Sequence, residues 1–200
     1  MKRLIWVRHP QTKLNHPPVR IRGGVNVPLS PEGLAQIPTI VSGLQVVYPD
    51  IRKIYTSPLD RASILANTLA HEYGIKATEL PGLSSRDYGI YNGREVSEVL
   101  PVLTLLSTGE GRDLAPKHGI SMNDFIEALA AAIRQIISEA PEEGHTLICS
   151  HLQNIMLGRR YLEQGLPENI KDLQYEYKET DEIPPGGWVE MRREWIVTTH

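Results

Sequence analysis

The chain has 200 residues, 22% of them charged, with a formal net charge of -3. This length suits one domain with a sizeable core, and the small net charge gives no reason to expect nucleic acid or an anionic membrane as a partner. A single cysteine, Cys149, excludes an intrachain disulfide and a cysteine-based zinc cage, and its apolar surroundings indicate a core residue. The apolar run after the basic start is too short for a signal peptide and no segment is long enough to cross a bilayer, so we expect a cytoplasmic protein.

The first predicted element is a buried strand at residues 4–7, which ends on Arg8 and His9 before Pro10. Four apolar residues in a row suit a strand covered on both faces, and proline ends the strand because it has no N–H to donate to a neighbour. Ligands of parallel sheets bind at the carboxyl ends of the strands. An arginine at such an end offers planar donors to a phosphate, and a neutral histidine offers a nucleophile. The pair therefore indicates a phosphate site.

Strands and helices alternate through the next part of the chain. The predicted elements are a loop at residues 11–30, a helix that begins at Ser30, a strand at 52–56, a helix from Ser57 to about Tyr73 and a strand at 76–80. Pro38 should kink or split the first of these helices. Alternation with short connections predicts right-handed crossovers and a mainly parallel sheet.

The second half of the chain is less regular. Its predicted elements are a loop at residues 81–94, a helix at 96–106, a polar flap or linker at 107–119, a helix from Ser121 to about 140, a strand at 146–149, a helix at 154–164 and two strands over 171–197 joined by a turn at 184–187. We expect a three-layer α/β/α sandwich with a mostly parallel central sheet, in a single domain over residues 1–200 with a small cap or flap region around 81–120.

Three side chains are predicted to meet at one end of the sheet. His9 follows the first strand, His151 follows a late apolar strand, and Arg61 sits one turn into its helix. Helical side chains lean toward the N-terminus, so Arg61 projects toward the positive end of the helix dipole. Together with Arg8, these groups predict a pocket that holds a dianionic phosphoryl group without a metal.

Five segments of the sequence resemble the histidine phosphatase superfamily, in the branch that includes the cofactor-dependent phosphoglycerate mutases. In chain order they are VRHPQT at 7–12 with Asn15, RGGVNVPLS at 22–30 with Gly33, YTSPLDRA at 55–62, LSSRDYG at 83–89 with Gly93, and ICSH at 148–151. One such motif is weak evidence, whereas five in the family's order, each in the expected strand or loop context, are specific. The resemblance covers most of the chain and implies a phosphoglycerate mutase-like fold.

The resemblance also implies a role for each matching residue. His9 would be the nucleophile, taking the phosphoryl group to form a phosphohistidine. Arg8 and Arg61 would bind the phosphoryl oxygens, with help from Asn15. His151 would stabilise charge in the transition state of phosphoryl transfer, a reaction that depends above all on positioning and charge stabilisation. The implied substrate is a small phosphorylated compound, and no cofactor and no metal are implied.

Two positions depart from the family's pattern. Pro10 replaces the usual glycine, which keeps His9 out of the right-handed helical region and removes an N–H from the pocket. Ser85 stands where the family normally has a glutamate as proton donor, and a serine hydroxyl is a poor acid. Asp87 is our candidate for this role, because residues two apart in an extended segment share a face.

A metal-independent phosphomonoesterase is the first interpretation, and the sequence leaves three alternatives open. A phosphoglycerate mutase-type phosphotransferase needs a larger cap than the segment between residues 93 and 121 offers. A non-catalytic phosphate- or phosphopeptide-binding relative is motivated by Ser85 and Pro10, and a phosphohistidine relay protein would pass its phosphoryl group to a protein partner. Four further arginines are either selectors of an anionic substrate or solvated charges: Arg20, Arg22, Arg94 and Arg112.

Overall fold

A five-stranded sheet forms the centre of the protein in the computed structural model, which describes residues 3–173 and 182–192. Its strands are β1 (Arg3–Arg8), β2 (Ile51–Thr56), β3 (Ala77–Glu79), β4 (His145–Ser150) and β5 (Trp188–Arg192). The strand order is β3-β2-β4-β1-β5, in which β5 runs antiparallel to β1 and all other neighbours are parallel. The prediction of a mostly parallel sheet is confirmed.

Helices cover both faces of this sheet. They are α1 (Pro31–Val47), α2 (Asp60–Glu72), α3 (Val96–Leu105), α4 (Met122–Ser138) and α5 (Leu152–Glu163). Successive side chains of a strand point to opposite faces. Ile5 and Val7 of β1 accordingly pack with α1 and α2, whereas Leu4 and Trp6 pack with α4 and α5. The three-layer sandwich is confirmed, and no helix in the described part of the chain is long and apolar enough to cross a membrane.

The predicted helix starts at Ser30 and Ser121 are confirmed. Each serine accepts a hydrogen bond from the backbone N–H three residues later, over 3.1 Å and 3.0 Å respectively. The predicted split at Pro38 does not occur, since α1 continues through it. A proline ring leaves the carbonyl four residues earlier without its helical donor. That carbonyl belongs to Leu34, which is 52% exposed, so water can satisfy it.

Helix α2 begins at Asp60, three residues later than the sequence predicts, with Leu59 as its N-cap. The Ser57 hydroxyl accepts a hydrogen bond from Leu59 N over 3.2 Å, and its other partner is a distant histidine, His151. A tertiary contact therefore takes the hydroxyl that the local pattern assigns to a helix cap. Arg61 becomes the second residue of α2 and remains at its positive end.

The region predicted as a cap or flap, residues 81–120, contains 3₁₀ turns at Pro81–Leu83 and Gly89–Tyr91, then α3, then a 3₁₀ helix at Gly109–Asp113. Arg86 is fully buried in this region. Its guanidinium donates to the carbonyls of Leu106 and Ile120 over 3.1 Å and 3.2 Å. This side chain ties the start of the region to its end.

The predicted C-terminal pair of strands is described in part. The turn at 184–187 is present, with Gly187 N donating to the Pro184 carbonyl over 2.8 Å, and β5 follows it. Residues Ile170–Asp172 form a 3₁₀ turn where the first strand was predicted to begin. The remainder of that predicted strand lies mostly outside the described residues.

Candidate active site

A cavity of about 250 Å³ lies where β1 and β4 end, with His9 and His151 in its wall. Parallel pairing aligns Arg8 with Ser150, so the histidines that follow these residues lie side by side, with ring centroids 5.2 Å apart. The other polar residues that line the cavity come from the loop before α1, from α2, from the cap region and from α5: Arg20, Arg22, Arg61, Ser85, Tyr88 and Gln153.

Two backbone contacts fix the position and the tautomer of His9. Its N–H donates to the Ser150 carbonyl over 2.9 Å, and its ring Nδ1 lies 2.7 Å from the Pro10 carbonyl oxygen. A carbonyl oxygen only accepts, so Nδ1 carries the proton and Nε2 keeps its lone pair. Pro10, which costs the pocket an N–H, thus supplies the acceptor that leaves Nε2 ready for nucleophilic attack.

Arg61 fixes the second histidine. Its Nε donates to His151 Nδ1 over 3.3 Å, so that nitrogen is unprotonated and His151 Nε2 donates to Ser57 Oγ over 2.9 Å. The remaining guanidinium contacts are to the carbonyls of Val25 and Gly23, each over 2.8 Å. Among the described contacts three of its five N–H groups are used, which leaves two for an anion.

Burial and positive charge keep both imidazoles neutral. Burial lowers the pKa of His9 well below 6.5, and the Arg61 charge lowers it further. The same two causes, in the same order, lower the pKa of His151. Burial and the nearby Arg22 lower the pKa of Arg61 to about 10, so Arg61 stays charged at neutral pH. A neutral imidazole with a free lone pair beside a charged guanidinium is an arrangement that suits attack on a phosphoryl dianion.

Two of the four further arginines line this cavity. Arg22 has a buried Nη1 without a hydrogen-bond partner in the described part of the protein. Arg20 also lines the cavity, and its Nη2 is bonded to Glu95 Oε1 over 2.8 Å. Arg94 and Arg112 are bonded elsewhere, to a neighbouring carboxylate and to two backbone carbonyls. Arg22 therefore adds a cation to the cavity, whereas the sequence alone could not distinguish it from a solvent-exposed arginine.

Arg8 and Asn15 do not line the cavity. The buried Arg8 guanidinium donates to the Ile183 carbonyl. The side-chain oxygen of Asn15 accepts from Thr12 N and Thr12 Oγ1 over 2.8 Å and 2.9 Å. Their role in phosphate binding stays a prediction.

Ser85 lines the cavity, whereas Asp87 does not. The Asp87 carboxylate accepts from Gly89 N over 2.8 Å and from Asn92 Nδ2 over 2.7 Å. Gly24 lies so close that a Cβ added there would come within 2.9 Å of the Asp87 Cβ. Asp87 thus holds its own loop and packs beneath the Gly24 loop, and among the described residues no carboxylate lines the cavity.

The family model that matches this chain is that of the histidine phosphatase superfamily (branch 1), and the match covers residues 4–184. The chain belongs to this superfamily. The resemblance drawn from the sequence motifs is therefore confirmed. No curated protein matches the chain significantly.

Solved structures agree with this assignment. The mycobacterial glucosyl-3-phosphoglycerate phosphatase in complex with VO3 has a TM-score of 0.74 and 20% identity, over 95% of this chain and 92% of that chain. The phosphoserine phosphatase of Entamoeba histolytica in complex with 3-phosphoglyceric acid has a TM-score of 0.71 and 21% identity, over 95% and 90%. At these identities the likeness establishes the histidine phosphatase fold.

Sequence reasoning missed several groups that orient the side chains of this candidate site. Ser57 holds His151, and backbone carbonyls hold His9 and Arg61. Ser57 carried a signal, but the Ser-Pro pair after a strand is also a common helix start. A backbone carbonyl carries no sequence signal at all, since every residue has one.

Acidification below pH 6.5 is expected to destabilise the folded protein. The folded-state pKa values of His9 and His151 lie well below the ordinary 6.5, so in this range the unfolded chain binds protons that the folded chain does not. Stability is therefore highest above pH 6.5 and falls as the pH drops toward the lowered values, by up to about 2.7 kcal/mol per pH unit for two groups. Urea unfolding at several pH values between about 7.5 and 5.5 measures this slope.

Single replacement of either ring by glutamine is the control. His9→Gln and His151→Gln should each remove about half of the contribution from this pair, whereas His145, whose pKa burial also lowers, remains in every variant. A wild-type slope that neither variant reduces would contradict the neutral, buried state of these rings.

Proposed function

We propose that this chain is a phosphomonoesterase that needs no metal and works through a phosphohistidine on His9. The observation that carries the proposal is the His9 ring itself, whose Nδ1 proton is held by the Pro10 carbonyl so that Nε2 presents its lone pair. Arg61 and Arg22 supply positive charge on the same cavity. Membership of the histidine phosphatase superfamily and the phosphatases among its structural neighbours support the same reaction class.

The reaction proceeds in two displacements. His9 Nε2 attacks phosphorus, and the P–O bond breaks with its electron pair leaving on the departing oxygen. The two unused N–H groups of Arg61 donate hydrogen bonds to the phosphoryl oxygens. His151 accepts a hydrogen bond from Arg61 and so holds that guanidinium. The centroid of its ring lies 5.2 Å from that of the His9 ring. Water then attacks the phosphohistidine, and His9 regains its lone pair as inorganic phosphate leaves.

Hydrolysis of an aryl phosphate in excess chelator tests this proposal. An aryl leaving group needs little protonation, so a weak proton donor does not hide the nucleophile. We expect phosphate release at the same rate with and without chelator. Release of inorganic phosphate also separates a phosphatase from a phosphoglycerate mutase. Loss of activity in chelator, with recovery on adding a divalent metal, would contradict the proposal.

Asp87→Asn is expected to change turnover of an alkyl phosphate by less than about threefold, because the carboxylate is engaged within its loop. An asparagine oxygen can still accept from Gly89 N, so the fold should survive, which a thermal melt verifies. Loss of a true proton donor costs about 10²–10⁴ in rate. A fall of that size in a folded Asp87→Asn enzyme would contradict this expectation and support Asp87 as the acid.

The second candidate is a non-catalytic phosphate-binding relative. The observation that favours it is the cavity wall, in which the described residues include no carboxylate. Such a protein binds vanadate or phosphate and releases no product from an aryl phosphate. Tight vanadate binding combined with the absence of turnover would select this candidate over the phosphatase.

A further inference from the structure

We infer that the cavity selects phosphoryl compounds whose leaving group departs as a weakly basic oxyanion without taking a proton, as in acyl phosphates and phosphoanhydrides. The Arg22 guanidinium stabilises the negative charge of this leaving group. This inference rests on the proposed phosphatase function and names its substrate class.

The described wall of the cavity lacks an acid. Its two hydroxyl groups belong to Ser85 and Tyr88. The Tyr88 hydroxyl donates to Gln153 Oε1 over 3.0 Å, and burial raises the pKa of Tyr88, which weakens it as an acid. The N–H of His151 is donated to Ser57, and a neutral imidazole is a poor proton donor.

Neighbouring carboxylates do not fill this gap. That of Glu95, next to the cavity, is paired with Arg20 over 2.8 Å. Asp87 is bonded to Gly89 and Asn92 beneath the Gly24 loop. Glu182 lines a separate cavity of about 490 Å³ that shares only Met156 with this one. An alkoxide is a strong base and leaves slowly without an acid, whereas a carboxylate or a phosphate anion leaves unprotonated.

The cavity wall also carries a surplus of positive charge. Three guanidinium groups line the cavity, those of Arg20, Arg22 and Arg61. Arg20 has a carboxylate partner and Arg61 has three protein acceptors, but Arg22 Nη1 is buried without an acceptor among the described residues. No described acceptor or carboxylate is paired with the Arg22 guanidinium, so its charge is available to the cavity. An oxyanion in the cavity would be stabilised by this charge rather than by a proton.

The chemical step balances without an acid. The lone pair of His9 Nε2 forms the N–P bond while the P–O bond breaks, and its electron pair leaves on the carboxylate or phosphate oxygen. The dianion becomes a leaving anion and a phosphohistidine that retains the Nδ1 proton. Water then forms a new P–O bond, the N–P electron pair returns to Nε2, and the water proton leaves with phosphate or passes to solvent.

The test compares kcat/KM for four probes: acetyl phosphate, pyrophosphate, p-nitrophenyl phosphate and glycerol 3-phosphate. We expect acetyl phosphate or pyrophosphate to exceed glycerol 3-phosphate by about 10²-fold or more, the range that missing acid catalysis gives. The better of the two identifies the acyl or the anhydride source. Background hydrolysis is subtracted with the His9→Ala protein.

Two variants sharpen the comparison. Ser85→Glu should raise kcat/KM for glycerol 3-phosphate by about 10²-fold relative to p-nitrophenyl phosphate, whereas Ser85→Gln, matched in size, should not. Arg22→Gln should lower kcat/KM for the preferred probe at least tenfold, whereas Arg52→Gln, at an arginine whose side chain is 63% exposed, should not. Thermal melts show which variants fold. If a variant does not fold, the comparison of the four probes with the wild-type enzyme decides the inference.

Wild-type hydrolysis of glycerol 3-phosphate within tenfold of acetyl phosphate and pyrophosphate would overturn the inference. If p-nitrophenyl phosphate is still hydrolysed through His9 in that case, the proposed function stands and only the substrate class falls. Hydrolysis of none of the four probes would overturn both.

Discussion

Replacing His9 with alanine is expected to lower turnover of p-nitrophenyl phosphate by about 10⁴-fold or more, because in the proposed mechanism His9 supplies the lone pair that accepts the phosphoryl group. The remaining groups that hold the phosphate stay in place, so vanadate binding should fall far less than the rate. Steady-state phosphate release measures the rate, and a vanadate titration measures binding.

A surface histidine provides the matched control for this variant. The His71 side chain is 87% exposed and bonded only to its neighbour Glu72 among the described contacts, so His71→Ala should retain wild-type turnover. A His9→Ala protein that is folded and works within tenfold of the wild type would remove His9 as the nucleophile.

Arg61→Ala is expected to lower kcat/KM by about 10³-fold, since each donor lost from a charge-stabilising site costs about 10²–10³. This variant should also melt at a lower temperature. The buried Gly23 carbonyl and the partly buried Val25 carbonyl lose their partner, and a buried acceptor left unpaired costs about 1–3 kcal/mol. Activity on p-nitrophenyl phosphate and thermal unfolding measure the two effects.

Arg61→Lys separates charge from geometry. Lysine keeps the positive charge but cannot reach three acceptors as a planar fork, so its activity should lie between those of the wild type and the alanine variant. Arg52, whose side chain is 63% exposed, gives the control, and Arg52→Ala should leave kcat/KM unchanged. An Arg61→Ala enzyme with wild-type kcat/KM would show that this guanidinium does not touch the phosphoryl group.

The strand ends were the most predictable part of the site. The short apolar runs before His9 and before His151 fit buried parallel strands, and such strands bring their carboxyl ends to one edge. The register that sets Arg8 against Ser150 was not predictable, because it depends on which strands become neighbours. The order of the sheet is a tertiary property.

Local side-chain chemistry explains where the prediction was incomplete. The resemblance implies a phosphate-binding role for Asn15, and spacing suggests Asp87 as the acid; both roles stay predictions. In the structure each side chain bonds to backbone groups of its own loop, a competition that short polar side chains often win. Ser57 shows the opposite case, since a distant ring claims the hydroxyl of a predicted cap. Only the structure, which places Arg22 in the cavity wall, distinguishes it from a solvent-exposed arginine.

The most direct test of the account is to trap the phosphorylated enzyme. The wild-type protein is mixed with p-nitrophenyl phosphate, stopped with alkali to preserve phosphohistidine, and its peptides are examined by mass spectrometry. The account predicts one phosphoryl group on His9 that forms before steady state and disappears as phosphate is released. Steady turnover with no phosphoryl group on His9, or with the group on His151 instead, would contradict it.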